Sequence, residues 1–382
     1  MPVNKKAVTP TPFGQRVREQ REALGMRVTK LAQLVGVSRG TITNYEKGAT
    51  EPTMTHLYLI SEALGCDFMS LLPSHEPAEV PSFAFRAHKA LQSSPEIRVV
   101  ARKYLQAYDD IETITGTRLG WRVPDLGVEQ RAERDERWLE YAAKRVREAC
   151  TLEDRGPDNI VRVLEDLGIR CLFFEHESQG LDAVSARQGE STLVMLRRPH
   201  RNVERVVFSA AHELAHLVLH PDLFESKPKR KGVDKDAERE ADFFAGCFLV
   251  PADRMRAVWE SERLDRLTPV DALLLLKKVF RVSFWCLYRR AQHDGLIDVT
   301  YPTVVNAVKR KMDIKGKARM QDLEPNPLPA ETLVQTSRFA RLVRSAFLQD
   351  EIGEAKVAEM FQVTVDRAKV ITANWIRVKG ET

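Results

Sequence analysis

The residues of this chain best suited to chemistry are two histidines four apart with a glutamate directly after the first, His212-Glu213-Leu214-Ala215-His216. They lie in the run 206–220, Val-Val-Phe-Ser-Ala-Ala-His-Glu-Leu-Ala-His-Leu-Val-Leu-His, which lacks Gly and Pro and reads as a mostly buried helix. Helical positions i and i+4 share a face, so His212 and His216 can aim two imidazoles at one ion. Glu213 is turned by roughly 100° about the axis and can reach a water beside that ion without ligating it. H-E-x-x-H at this spacing suits a zinc site with a carboxylate general base, the chemistry of peptide-bond hydrolysis. A core helix that merely carries two histidines fits the same five residues, so a third ligand must come from elsewhere.

Position 222 is Asp, not the His that would mark one class of zinc peptidase. His220 would lie about 12 Å along a continuous helix from His212, which makes it structural or a rim residue. The stretch 237–251 reads as a second helix ended by Pro251. Within it Glu238 and Asp242 stand at i and i+4. One carboxylate can hold the metal while the other accepts the free ring N–H of a ligating histidine. Glu240 is the rival ligand. It has Phe244 at i+4 and no carboxylate partner, so Glu238 is preferred as metal ligand with Asp242 behind it. An acidic first turn also suits any helix N-terminus on its own. The expected cofactor is Zn2+ and the expected catalytic base is Glu213. Tyr288 and His293 are both candidate donors to an oxyanion, and the sequence does not choose between them.

Such ligands need rigid support. Upstream of the motif a helix over 160–167 leads into a buried strand over 169–174. Two further strands, 183–187 and 192–196, flank a hairpin-like turn at 188–190. The motif helix is expected to start near Asn202. The segment 225–236, with Lys227, Lys229, Arg230 and Lys231, reads as a solvated loop at the mouth of a cleft.

The chain opens differently. Residues 13–24, 28–35, 39–47, 54–64 and 68–72 read as five short helices, with Gly36-Val37-Ser38 as a tight turn and Ser38 as an N-cap. The middle pair is a helix-turn-helix. Its second helix offers Arg39, Thr41, Thr43 and Asn44 to base edges. Thr41 and Lys47 are better placed for phosphates. Between the two regions, Pro73, Pro77 and Pro81 mark a linker, and helices are expected over 83–92, 96–113 and 129–149. The alternating acids and bases of 131–137 read as a solvated face. Beyond 298, helices are expected from Pro302 to Lys311 and over 332–348, 354–361 and 365–379. The stretch 355–365 has helix-turn-helix-like spacing without a glycine turn and reads as a packing or dimerisation module.

At 382 residues, with 43% hydrophobic and 30% charged residues, several folded domains are expected. The division is 1–73, 74–150, 151–297 and 298–382. The fold class is mainly α with a small α+β domain. A net charge of +5 permits nucleic-acid binding without demanding it. The five cysteines are scattered and none forms C-x-x-C, which fits a reducing compartment. No apolar run suggests a membrane span and the N-terminus does not read as a signal peptide. A cytoplasmic, nucleoid-associated protein is therefore expected.

The run from Leu31-Ala32 through Gly36-Val37-Ser38, Ile42, Glu46, Gly48, Pro52, Leu57, Ile60 and Ala63-Leu64 resembles the XRE family of phage-repressor-like regulators. Residues 156–157, 164–169, 208–220, 238–251 and 280–283 resemble the ImmA/IrrE family. The first resemblance implies a five-helix bundle that binds a double-stranded operator, usually as a homodimer. Val28 and Gly40 depart from its usual pattern, so the operator sequence does not carry over. The second implies a thermolysin-like zinc metallopeptidase that relieves repression by cutting an XRE-type repressor. It carries over His212, Glu213, His216 and Glu238 with Asp242. Ala215 and Cys247 depart from the family's usual residues without removing a catalytic group. The alternative is a non-proteolytic regulator, such as the antitoxin and autorepressor of a toxin–antitoxin pair, whose peptidase-like domain senses a signal or binds a partner protein.

Overall fold

The computed structural model describes residues 12–66, 71, 84–85, 95–118, 120–127, 134–152, 159–174, 182–188, 191–197, 202–224, 235–315, 323–329 and 338–379. The protein is mainly α-helical with a small α+β region. It divides into two compact units, one formed by 1–116 with 346–382 and the other by 117–345. This division differs from the four consecutive segments expected above, because the chain's last helices return to the first unit.

The first unit begins with α1 (Pro12–Ala23), α2 (Val28–Val35), α3 (Arg39–Lys47) and α4 (Met54–Leu64). Ser38 caps α3 by accepting the Thr41 N–H at 3.1 Å. Gly36 closes α2 at φ +76°, a conformation that costs a side-chain-bearing residue energy. Val17, Leu31, Ile42, Ile60 and Leu64 are completely buried and form the centre of the bundle. Gly14 lets α1 touch α3, since a Cβ there would lie 2.3 Å from the Tyr45 carbonyl oxygen. The buried Arg21 binds Glu46 at 2.6 Å and also donates to the Met26 carbonyl at 2.8 Å, which fixes the α1–α3 angle. The expected fifth helix, 68–72, lies outside the described residues except for the buried Leu71.

Helix α5 (Pro95–Ile114) packs on this bundle. Val99 abuts the core, and Arg102 donates to Gln20 at 2.6 Å and to the Leu64 carbonyl at 3.1 Å. Within the expected connector, α5 thus belongs with the first unit. The helix expected over 83–92 lies outside the described residues apart from Ala84–Phe85, which are extended strand.

The second unit contains α6 (Glu136–Ala149), α7 (Ile160–Asp166), β1 (Arg170–Phe174), β2 (Ala183–Gln188), β3 (Ser191–Arg197), α8 (Val203–Leu219), α9 (Lys235–Leu249), α10 (Ala252–Ser261), α11 (Pro269–Phe280), α12 (Phe284–His293), α13 (Tyr301–Lys311) and α14 (Arg338–Leu348). The unit boundary falls within α14. Helix α6 starts later than expected, at Glu136, because Asp135 caps it by accepting the Trp138 N–H at 2.9 Å. Strand β3 lies between the other two. It runs antiparallel to β2, with Ser185 opposite Val194, and parallel to β1, with Cys171 opposite Val194. Leu193 to Leu196 are buried on both faces of the sheet, as their unbroken apolar run requires. Helix α8 packs on β2 and β3, α9 packs along α8, and α6 covers α9. The basic loop 225–234 and the turn at 189–190 lie outside the described residues.

The remaining helices, α15 (Glu354–Phe361) and α16 (Val365–Lys379), belong to the first unit. Phe347 and Phe361 pack on Trp375 with ring centroids 5.8 and 6.2 Å apart, and Lys356 binds Asp110 of α5 at 2.9 Å. Among the described residues no helix is long and apolar enough to cross a membrane, and all five cysteines are free thiols.

Candidate metal centre and nucleic-acid interface

Helix α8 carries the two histidines on its side toward α9. Their rings meet edge to face, with His212 Nε2 and His216 Nε2 3.0 Å apart. Glu238, in the first turn of α9, reaches the same point. Its Oε2 lies 3.4 Å from His212 Nε2 and its Oε1 lies 3.8 Å from His216 Nε2. One ligand atom from each of the three residues lies within 4.8 Å of the other two. Two imidazole nitrogens and a carboxylate thus converge on one point, and two nitrogens with one oxygen are a donor set that suits zinc. The residues present therefore fit the ion.

The far sides of both rings are also held. His212 Nδ1 is 2.9 Å from Asp242 Oδ1, one turn along α9 from Glu238. His216 is completely buried, and its Nδ1 lies 3.1 Å from Nδ1 of His220. Helix α8 stops at Leu219, because Pro221 disfavours helical backbone at the residue before it. His220 closes the helix, its backbone N–H donating to the His216 carbonyl at 3.0 Å. Its Nε2 sits 3.0 Å from Glu240 Oε2, which also accepts from Arg134 at 3.0 Å. Glu240, the rival ligand, is thus engaged behind the cluster. Burial lowers the pKa of His220, against the pull of Glu240. Burial alone would raise Glu240, but the bond from His220 and the nearby Arg134 charge outweigh it and hold the carboxyl below its usual range.

Glu213 is buried and points toward the sheet, where the hydroxyl of Ser185 on β2 donates to its Oε2. Ser185 itself is wholly buried. The two candidate oxyanion donors lie in other settings. The Tyr288 hydroxyl donates to the Val299 carbonyl at 2.9 Å, and the His293 ring packs against Phe243 with centroids 5.1 Å apart. A groove of about 530 Å³ lined by Arg134, Phe208, Asp242, Phe243, Arg289 and His293 runs beside Asp242. A second group, Glu140, His293 and Asp294, also clusters within 4.8 Å. The Arg290 guanidinium already binds both acids there, at 3.2 and 3.3 Å.

In the first unit, α3 shows its polar side to solvent. Arg39, Asn44 and Lys47 are exposed, while Thr41 and Thr43 are half-buried. The Thr43 hydroxyl donates to the Arg39 carbonyl at 3.0 Å, and the Thr41 hydroxyl pairs with Ser38 at 2.9 Å, so both threonines are partly occupied within their own helix. Arg39 and Asn44 are the longer, unburied side chains able to enter a groove.

The sequence did not point to Ser185, whose position in a strand is unremarkable, or to Arg134. A signal for His220 was present. A histidine followed directly by proline at the end of the motif helix implies a turn there rather than another helical step.

The comparisons with known proteins fall on these same regions. Residues 17–71 match the helix-turn-helix family, and residues 164–292 match the IrrE N-terminal-like domain. Repressor protein C2 of Salmonella phage P22 is 40% identical over 54 residues, which are 14% of this chain and 25% of the phage protein. An uncharacterized HTH-type transcriptional regulator of Methanothermobacter thermautotrophicus is 43% identical over 49 residues, 13% of this chain and 71% of that protein. The chain thus spans only about a quarter of the phage repressor's length. The crystal structure of Bacillus thuringiensis PlcR with the peptide PapR7 and DNA aligns over 97% of this chain and 95% of its own at 9% identity. Its TM-score of 0.17 carries no argument. The chain belongs, through its N-terminal domain, to the XRE-type helix-turn-helix regulators, and it carries an IrrE N-terminal-like peptidase-family domain fused behind that head.

Proposed function

We propose that this protein is an operator-binding transcriptional regulator whose second unit is a zinc metallopeptidase directed at a repressor, either a partner protein or another copy of itself. The observation that carries the reading is the convergence of His212, His216 and Glu238 on one point, beside a buried glutamate, in a chain that begins with a DNA-binding domain. His212 and His216 would hold zinc through their Nε2 atoms and Glu238 through its carboxylate. When bound there, zinc supplies Lewis-acid polarisation of a carbonyl and lowers the pKa of a water toward neutrality.

The chain's own residues do the rest. Glu213 accepts a proton on its carboxylate and returns it to the departing amide nitrogen. The Ser185 hydroxyl fixes the rotation of that carboxylate through the bond to Oε2. Asp242 accepts the Nδ1–H of His212, which leaves Nε2 without a proton and available as a ligand. At the other end of the chain, Arg39 and Asn44 are suited to reading base edges and Lys47 to holding a phosphate.

The direct test compares the parent with Glu213→Gln. Both should carry the same zinc and bind the same DNA. The parent should cleave a helix-turn-helix repressor, and the variant should be slower by about 10²–10⁴-fold. Cleavage by the variant at the parental rate would overturn the assignment of Glu213. Unchanged regulation in cells by the Gln variant would overturn proteolysis as the mechanism and favour a binding role.

A further inference from the structure

Two residues near the metal cluster have no place in that scheme. His220 and Glu240 both lie on its far side. Building on the zinc reading, we infer that His220 and Glu240 form a positioning relay that sets the tautomer and orientation of His216, anchored at its outer end by Arg134.

The proton count along the chain of contacts is fixed by the cluster. For His216 Nε2 to serve as a ligand it must carry no proton, so the proton of the neutral ring sits on Nδ1. His220 Nδ1 lies on that side at 3.1 Å, so His220 accepts there. A neutral His220 that accepts through Nδ1 has its own proton on Nε2. That nitrogen faces Glu240 Oε2 at 3.0 Å, and a carboxylate can only accept. Arg134 donates to the same oxygen at 3.0 Å. With an ion on the two Nε2 atoms, each group therefore has one consistent role.

The two histidines of the cluster are thus supported differently. His212 donates directly to a carboxylate, Asp242, that is half exposed. His216 donates to a carboxylate through an intervening imidazole. His220 is buried, while Glu240 and Arg134 are part-exposed and line the groove beside Asp242. His220 stands four residues after His216 as the residue closing α8, a spacing that keeps the two rings on one side of the helix. The relay thus links the buried ligand to a groove that a bound peptide or protein partner could reach.

The test uses the full chain and the metal alone. Zinc affinity is measured by competition with a chromophoric chelator for the parent, His220→Ala, Glu240→Ala and Glu240→Gln. Circular dichroism confirms that each is folded. The hydrogen bond at His216 Nδ1 is read in the zinc-loaded protein by proton–nitrogen NMR. His220→Ala should weaken zinc binding by about 10–100-fold. Glu240→Ala should weaken it by less, and Glu240→Gln should retain most of the affinity, because an amide oxygen still accepts from His220. In the zinc-loaded parent, the His216 Nδ1 proton should be hydrogen-bonded to the His220 nitrogen and shifted downfield, and His220→Ala should lose that shift. Parental zinc affinity in folded His220→Ala and Glu240→Ala would overturn the relay. A parent that takes up no zinc would overturn the metal reading. A zinc-loaded parent whose His216 Nδ1 proton shows no coupling to a His220 nitrogen would overturn the relay while leaving the metal reading intact.

Discussion

At the scale of single residues, the site is made of groups whose neighbours leave them one role each. Glu213 is buried on the sheet side of α8 and receives the Ser185 hydroxyl. Ser185→Ala removes that bond but no ligand. On the proposed mechanism, zinc content should stay at the parental level while kcat falls by up to about 10²-fold, the scale of an ångström's misplacement of a catalytic group. A steady-state kinetic comparison with metal analysis of the same samples checks both halves, and lost zinc would show that Ser185 supports the fold rather than the base. On the DNA side, the proposed reading of bases by Arg39 and Asn44 predicts that Arg39→Ala and Asn44→Ala each cost about 1–3 kcal/mol at one base pair. Lys47→Ala should weaken all sequences alike and reduce the salt slope by about one. Affinities for sites selected from a random duplex pool, measured at two salt concentrations, distinguish the two effects.

At the scale of elements, a few buried polar ties set the geometry. Lys277 of α11 is almost wholly buried between Glu204 of α8, at 2.8 Å, and Glu324, at 2.6 Å. Glu324 also accepts from Ser283 and from the Phe284 N–H, so one carboxylate joins the ends of α11 and α12. Lys277→Met would leave two glutamates buried without their cation. It should destabilise the second unit by about 3–5 kcal/mol in chemical denaturation. Glu165 of α7 is another such tie. It is pushed up to about 7 by burial, against the Arg338 N–H and the charges of Arg341 and Arg338 that favour its ionised form. A carboxyl with its folded pKa above its unfolded one binds protons more tightly when folded. Its contribution is fully present below about 4.5 and is lost as pH rises through about 7. Melting temperature measured across that window should therefore fall less steeply with rising pH for Glu165→Gln than for the parent. In the first unit, Gly14→Ala would press a methyl against the α3 backbone and should cost about 1–3 kcal/mol.

At the scale of the whole molecule, the chain's order in sequence is not its order in space. Residues 346–382 join the unit that begins at the N-terminus. Deleting them would expose the face of α5 that Lys356 and α15 cover. Amide exchange over 95–114 should accelerate while exchange over 203–219 stays unchanged. Equal acceleration in both stretches would show that the tail stabilises the protein globally.

The sequence by itself determined a good deal. Patterning and capping placed α2, α3 and α4 residue for residue, because short helices bounded by glycine and serine signals are governed by local backbone chemistry. The spacing of His212, Glu213 and His216 was enough to put two imidazoles on one face, since helical geometry alone ensures it. Glu238 and Asp242 followed from the same periodicity. What remained lay in contacts between residues distant in the chain. Which of Glu238 and Glu240 faces the histidines depends on how α9 is rotated against α8, and packing decides that. Ser185 reaches Glu213 only because β2 lies under α8. His220 reaches Glu240 because α9 packs along α8, a contact between helices that the local pattern does not specify. The return of the last helices to α5 is likewise set by tertiary burial, which no local signal encodes. Chain-local physics thus named most of the groups, and long-range packing chose which of them meet.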